Sequence, residues 1–320
     1  MPEMAEEPRQ TDLDAVASRL GRDAYVRRVA LEEFRDAEFR KIVTVQGTFL
    51  KLHLLRPVQK AALWCLGLWG RGRRELLNPV VRENKVVLGD MLPPEFDGFR
   101  MLHLSDLHID MDEAIANAVA KAAAPLEYDA CVMTGDYRNR TIGEFETALS
   151  LMRRLRPALK GEVYGVLGNH DFADMVPGLE AAGYRMLLNE AAVLRRGGAA
   201  LAIVGIDDPV IFETDDLGKA LDGVPAESVK VLLSHSARVA PEAEAAGVAL
   251  LLAGHTHGGQ ICFPGGRMIL RNEGLPRRYL KGPWRMGNLH GYTSSGCGAS
   301  GLPCRINCPA EIVLHTLSRG

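Results

Sequence analysis

The sequence predicts a mixed α/β fold: two β-sheets packed face to face, helices outside them, and a helical extension in front. Three observations carry the prediction. From Lys85 onward short β-rich runs alternate with helical patterns. Five of the apolar runs stop abruptly at a small residue followed by a side chain able to bind a metal. Residues 11–45 carry apolar side chains at helical spacing, with charged residues on the other face.

The first helical stretch opens with Thr11 and Asp14, which resemble a capping box, and Val26, Val29, Ala30, Phe34 and Ala37 recur along it. The decapeptide before it, MPEMAEEPRQ, is acidic and lacks an apolar core, so no secretory signal is read there. Six cysteines are too sparse for a secreted disulfide scaffold, and a reducing, cytoplasmic setting is expected. Cys297, Cys304 and Cys308 are spaced too irregularly for structural zinc and read as loop cysteines. A net charge of -2 and a pI near 6.5 give no global nucleic-acid signature. With 320 residues, 47% of them hydrophobic, the chain can bury one large core and a smaller accessory region.

Between residues 41 and 74 the composition turns basic. Lys41, Lys51, Arg56, Lys60, Arg71, Arg73 and Arg74 meet no acidic residue and surround the runs FLKLHLL and AALWCLGLW. The second run, bounded by Lys60 and Arg71, is about half as long as a bilayer-spanning helix. Two readings stay open. The segment lies peripherally on an anionic membrane at its inner face, with Trp64 and Trp69 in the interface, or it packs on the rest of the chain or on a second copy. Pro79 ends any helix in LLNPVVR, which sets a boundary near Val80 between an accessory region, 1–80, and a catalytic unit, 81–320.

In the catalytic unit, strands are predicted over 99–104, 130–134, 163–167, 200–206, 229–233, 249–253, 292–295 and 312–316, with helices over 112–124 and 142–156. The chemistry-bearing residues sit where the strands end. MLHLSDLH ends in Asp106 and His108, ACVMTGDY brings Asp136, VYGVLGNHD brings Asn169, His170 and Asp171, VKVLLSHS brings His235, and VALLLAGHTHGGQ brings His255 and His257. Ligand sites of open α/β sheets lie beyond the carboxyl ends of the strands. Five of the nine histidines fall in such places.

The blocks SDLH (105–108), GD (135–136), GNHD (168–171), SHS (234–236) and GHTHGGQ (254–260), in that order, resemble the calcineurin-like metallophosphoesterases. The resemblance runs from about residue 84 to the C-terminus. Its flanks, PPEFDGFR and SGCGASGLPCRINCPAEI, are similar to a bacterial subgroup that contains membrane-associated phosphodiesterases and UDP-diacylglucosamine pyrophosphatases. The resemblance implies the two-sheet sandwich with outer helices and a dinuclear metal-dependent phosphohydrolase. A phosphodiester or pyrophosphate is the favoured substrate, on a membrane-presented or lipid-linked molecule. The alternatives are a soluble phosphodiesterase of broad specificity, a protein phosphatase, or a metal-binding scaffold without catalysis. The dedicated pyrophosphatases of the subgroup replace the histidine of GNHD, whereas this chain keeps His170.

By the same resemblance, Asp106, His108 and His257 hold one metal and Asn169, His235 and His255 hold a second. Asp136 bridges the two, since one carboxylate spans ions about 4 Å apart. Mixed nitrogen and oxygen donors favour manganese, iron or zinc over magnesium. Two divalent ions against the carboxylates of Asp106 and Asp136 leave a surplus near +2, which suits a phosphoryl anion. The implied chemistry is in-line attack on phosphorus by a metal-bridging hydroxide. His170 is the candidate proton donor to the leaving alkoxide and Asp171 its orienting partner. Phosphate binding without proton transfer stays open for His170, and capping of the following helix for Asp171. Arg138 and Arg140 are candidates to clamp a second phosphate or a headgroup, or are solvated loop charges. Residues 262–291, with Arg267, Arg271, Arg277, Arg278, Lys281 and Arg285, are expected to rim the cleft, where Trp284 and Tyr279 either stack on a base or pack as a lid.

Overall fold

A computed structural model describes residues 10–44, 49–269 and 273–320, and the side chains of these apart from 10, 36–44 and 49–56. Val45 and Arg271 lie outside the described residues, as do the side chains of Ala37, Lys41, Lys51 and Arg56. The helical extension comprises α1 (Gln10–Leu20), α2 (Arg22–Thr44), α3 (Phe49–Cys65) and α4 (Trp69–Leu77). Strand β1 (Val80–Val87) follows, then an alternation of β2 (Arg100–Leu104), α5 (Ala114–Ala123), β3 (Ala130–Met133), α6 (Glu146–Leu155), β4 (Val163–Gly165), α7 (Val176–Ala181) and β5 (Arg185–Met186). The second half holds β6 (Glu190–Arg196), β7 (Ala199–Gly205), α8 (Leu217–Leu221), β8 (Val229–Leu233), α9 (Ala240–Ala245) and β9 (Leu250–Ala253). A small hairpin, β10 (Cys262–Phe263) and β11 (Arg267–Met268), precedes β12 (Gly282–Met286), β13 (Leu289–Thr293) and β14 (Glu311–Ser318).

Among the described residues the strands form two six-stranded sheets, in the orders β1-β14-β2-β3-β4-β5 and β12-β13-β9-β8-β7-β6. Strands β2 to β5 pair in parallel, as do β7, β8, β9 and β13. Covered on both faces, β2, β3, β8 and β9 read as continuous apolar runs rather than alternating ones. The inner faces meet in a core of Met101, Val132 and Val166 against Leu201, Ile203, Val231 and Leu252. The outer face of the first sheet packs on α5, α6 and α7, that of the second on α8 and α9.

The elements the sequence analysis did not anticipate are the strands at sheet edges, the short helices α7, α8 and α9, and the hairpin of β10 and β11. Strands β1, β5, β6 and β12 are mostly half-exposed or very short, so their pattern is weak. The predicted helix 142–156 starts only at Glu146, and the stretch 11–44 is two helices because Gly21, at φ 102°, breaks it.

The extension is tied to the sandwich by buried charge. Val16 and Leu20 enter the outer core of the first sheet. Arg28, fully buried, donates to Asp207 at 2.5 Å, to Glu32 at 2.9 Å, and to the carbonyls of Gly168 and Asp171. Burial lowers its pKa, but Asp207 and Glu32 raise it more, so it stays charged. Glu32 also accepts the Ala173 N–H, and Arg35 donates to the Asn169 carbonyl at 2.9 Å. Thus α2 grips the backbone of the GNHD loop. Replacing Arg28 by Ala leaves two carboxylates buried without their partner and is expected to cost about 3–5 kcal/mol. Arg153→Ala, which breaks an ion pair exposed by 40% and 48%, is expected to cost at most about 1 kcal/mol. Urea denaturation of both variants checks the contrast.

Candidate metal centre

Strands β2, β3, β4, β8 and β9 each run into a loop that turns at once, and the loops meet in one buried volume. The turns are sharp because the backbone enters the left-handed region: Asp106, His108, Asp136, His255 and His257 have φ between 40° and 69°. For a residue with a Cβ this costs free energy, least for aspartate, and it persists only where the surroundings dictate it. Glycines let the loops close up. A Cβ on Gly254 would lie 1.9 Å from Ser105 Oγ and 2.3 Å from Asp106 Oδ2, and one on Gly168 2.3 Å from Asp136 Oδ1.

Asp136 stands at the centre. Its Oδ2 is 3.4 Å from His235 Nε2 and 3.5 Å from His108 Nε2, and its Oδ1 accepts the His170 N–H at 2.9 Å. On one side, ligand-capable atoms of Asp106, His108 and His257 lie within 4.8 Å of one another. Asp106 Oδ1 is 3.5 Å from His257 Nε2, which is 3.0 Å from His108 Nε2. On the other side, Asn169 Oδ1 is 3.0 Å from His235 Nε2 and 2.9 Å from His255 Nδ1. All seven residues are buried.

The protons show what this arrangement wants. His235 Nδ1 is 2.7 Å from the Thr134 carbonyl and His108 Nδ1 is 2.9 Å from the Arg138 carbonyl. Carbonyls only accept, so each ring carries a proton on Nδ1 and, when neutral, aims an Nε2 lone pair inward. Burial, then His170, lowers His108 to about 3, and burial, then His235, lowers His255 to about 4. Asp106 is pushed up to about 6, first by burial. Burial lowers His235 as well, but Asp136 and Asp106 outweigh it and hold that ring well above its ordinary pKa. Lone pairs and carboxylate oxygens crowded at these distances call for positive charge among them, and imidazole nitrogens with carboxylate and amide oxygens fit a divalent transition metal.

His170 and Asp171 stand beside this group in unequal roles. The Asn139 carbonyl, 2.6 Å from His170 Nδ1, holds the ring and leaves Nε2 on the site side, 3.9 Å from Asp136 Oδ2. Asp171 is not its orienting partner. Its oxygens accept the N–H groups of Gly168, Asp136, Tyr137 and Arg138, lashing the GNHD loop to the loop of Asp136, and it does not cap the following helix. Arg138 is folded away from the cleft: its guanidinium donates to the Ile142 and Gly143 carbonyls and lies 4.2 Å over the Phe172 ring. Arg140 is exposed. Tyr279 and Trp284 meet edge to face inside the outer core of the second sheet, so they are neither base platform nor lid. Sequence reasoning missed Arg28 and Arg35, which support the Asn169 loop, and Arg305, fully buried with Nη2 3.3 Å from His257 Nδ1. The i,i+4 pair of Arg28 and Glu32 was the available signal.

The profile of the family described as calcineurin-like phosphoesterase matches residues 99–259. The chain belongs to this family. It is similar to an uncharacterized metallophosphoesterase of Bacillus subtilis, YkuE, with 29% identity over 266 residues, 78% of this chain and 90% of that one. It is similar also to an uncharacterized metallophosphoesterase of Aquifex aeolicus, with 28% identity over 70% of this chain and 87% of that one. A transmembrane protein with metallophosphoesterase domain from Danio rerio is 27% identical over 70% of this chain, which spans 54% of that protein. The phosphoesterase is thus a metal-dependent hydrolase whose substrate is a phosphoester. Gly254→Ala is expected to abolish divalent-metal uptake, because its Cβ takes the space of Ser105 Oγ and Asp106 Oδ2. Metal content after dialysis, read beside an unchanged far-ultraviolet circular dichroism spectrum, checks it.

Proposed function

We propose that this phosphoesterase is dinuclear and cleaves a phosphodiester or pyrophosphate on a molecule with an apolar arm, presented at a membrane surface. The supporting observation is a cavity of about 910 Å³ with two kinds of wall. Asp136, Asn169, His170, His255 and His257 line one part; Ala62, Leu63, Ile261, Ile269 and Leu302 line another. The apolar wall comes from α3 and from the loops around β10 and residue 302. Val58, Trp64 and Phe263, exposed by 62%, 64% and 58%, lie on the same helix and hairpin. Such apolar side chains suit an interfacial contact with lipid. No described helix is long and apolar enough to cross a membrane.

In this reading Asp106, His108 and His257 hold one ion, Asn169, His235 and His255 the other, and Asp136 both, with manganese, iron or zinc as the metals. When bound, the ions polarise the phosphoryl oxygens and lower the pKa of the attacking water. The seven ligands include two carboxylates, so the loaded centre keeps a positive surplus that a monoanionic diester and its nucleophile together neutralise. His170, its Nδ1 proton held by the Asn139 carbonyl, offers a proton from Nε2 to the leaving oxygen. Because His170 is kept, we favour a lipid-type diester over UDP-diacylglucosamine.

With manganese, the protein is expected to hydrolyse bis-p-nitrophenyl phosphate, and Asp136→Ala to remove the activity. No turnover with manganese, iron or zinc would exclude the enzymatic reading. A diester with a long alkyl arm is expected to show a KM about tenfold lower, equivalent to burying roughly 55 Å² of apolar surface, and Leu63→Gln with Leu302→Gln to erase that advantage. Equal KM values for the two diesters in the wild type would exclude the apolar arm. His170→Gln is expected to lower kcat about 10²- to 10⁴-fold at unchanged metal content, as steady-state kinetics beside metal analysis would show.

A further inference from the structure

A line of polar side chains crosses the apolar interior of the first sheet. Asn84 on β1 is in register with His315 on β14, and His103 lies on the next strand, β2. Asn84 Nδ2 is 2.9 Å from His315 Nδ1, His315 Nε2 is 3.3 Å from His103 Nδ1, and His103 Nε2 is 2.9 Å from Thr134 Oγ1. Thr134 Oγ1 is 2.6 Å from Ser105 Oγ, which is 2.6 Å from Asp106 Oδ2. Both rings and both hydroxyls are buried, among core residues such as Met101, Val132, Val313 and Leu317.

The direction of every proton follows from the far end. The Asp106 carboxylate accepts, so Ser105 donates to it. Ser105 has one proton, so Thr134 donates to Ser105, and His103 donates from Nε2 to Thr134. His103 Nδ1 then accepts from His315 Nε2, and His315 Nδ1 accepts from the Asn84 amide. Both rings are fixed in the neutral Nε2–H form, and burial, which lowers His103 to about 3 and His315 well below its ordinary value, agrees with this. A polar chain in an apolar core is tolerated only when every member is satisfied, and apolar side chains would fill the space without that constraint. The chain ends on a carboxylate of the metal centre.

We propose that His103 and His315 are positioning residues: through Thr134 and Ser105 they fix the Asp106 carboxylate with Oδ2 held by the hydroxyl and Oδ1 turned toward His257. The inference rests on Asp106 being a metal ligand. It makes manganese affinity depend on groups that touch no metal, as outer hydrogen-bond partners of ligands do, by about 10- to 100-fold.

The test is manganese titration of the wild type, Asp106→Ala, Thr134→Val, Thr134→Ser and His103→Leu, with ring-nitrogen NMR of His103 and His315. Thr134→Val keeps the shape and removes the hydroxyl, so it carries the test if His103→Leu fails to fold. The expected result is weaker binding by about 10- to 100-fold in Thr134→Val, recovery in Thr134→Ser, and Nε2–H tautomers at both rings of the wild type. Wild-type affinity in Thr134→Val while Asp106→Ala is impaired overturns the relay, as does an Nδ1–H tautomer at either ring. If the wild type binds no manganese, or Asp106→Ala binds it as tightly, the metal reading of Asp106 falls and the relay's role falls with it.

Discussion

Too many electron pairs share too little space at the end of this sandwich, and the rest of the structure follows from holding them there. His235 Nε2, Asn169 Oδ1, His255 Nδ1 and the Asp136 carboxylate approach one another at 2.9 to 3.4 Å, away from solvent. Lone pairs in such a volume repel unless a cation or a proton sits among them. The fold supplies the confinement. Parallel strands from two sheets direct their carboxyl ends at one place, and a carboxylate that bridges loops, Asp171, ties the GNHD turn to the turn of Asp136.

The helical extension belongs to the same device. Arg28 and Arg35 on α2 hold the carbonyls of Gly168, Asn169 and Asp171, three of the four positions of the GNHD turn, all but that of His170. On the other side of the site, α3 contributes Ala62 and Leu63 to the cavity wall. One end of the extension thus fixes a donor loop, and the next part shapes the space in front of it. A displacement of α3 alters the cavity directly, because its residues are part of the wall.

The strand ends were legible from sequence because a doubly buried strand must be a short apolar run and a sharp turn needs a small residue before the functional one. Hence Asp106, His108, Asp136, Asn169, His170, His235, His255 and His257 were found together. What escaped notice depends on tertiary neighbours. An arginine in a charge-rich helix looks solvated; the structure instead exposes Val26 and Phe34, which the sequence places on the apolar face, and buries Arg28 with Glu32, and beyond that i,i+4 spacing nothing local points to Asp207, 179 positions away. Arg138 was misassigned for the same reason: after Asp136 it reads as a phosphate clamp, yet its side chain turns to Phe172. Asp171 sits beside His170 in sequence, but adjacent residues do not share a direction, and its oxygens face four backbone N–H groups instead. Edge strands such as β5, two residues long, leave no period to detect.

The left-handed turns set a further condition. Five residues with a Cβ are held in the left-handed region, each at some cost in free energy, the least for the aspartates, whose short polar side chains visit it most readily. Packing nearby offsets that cost: β2 and β9, which feed the site, are buried on both faces, and Gly254 and Gly168 admit the carboxylates at contact distance. Ligands that bind only the folded chain add to the same balance in proportion to the logarithm of their concentration over Kd. In a site built this way, the cation that answers the crowded lone pairs also stabilises the turns that crowd them, so stability and chemistry depend on the same few atoms.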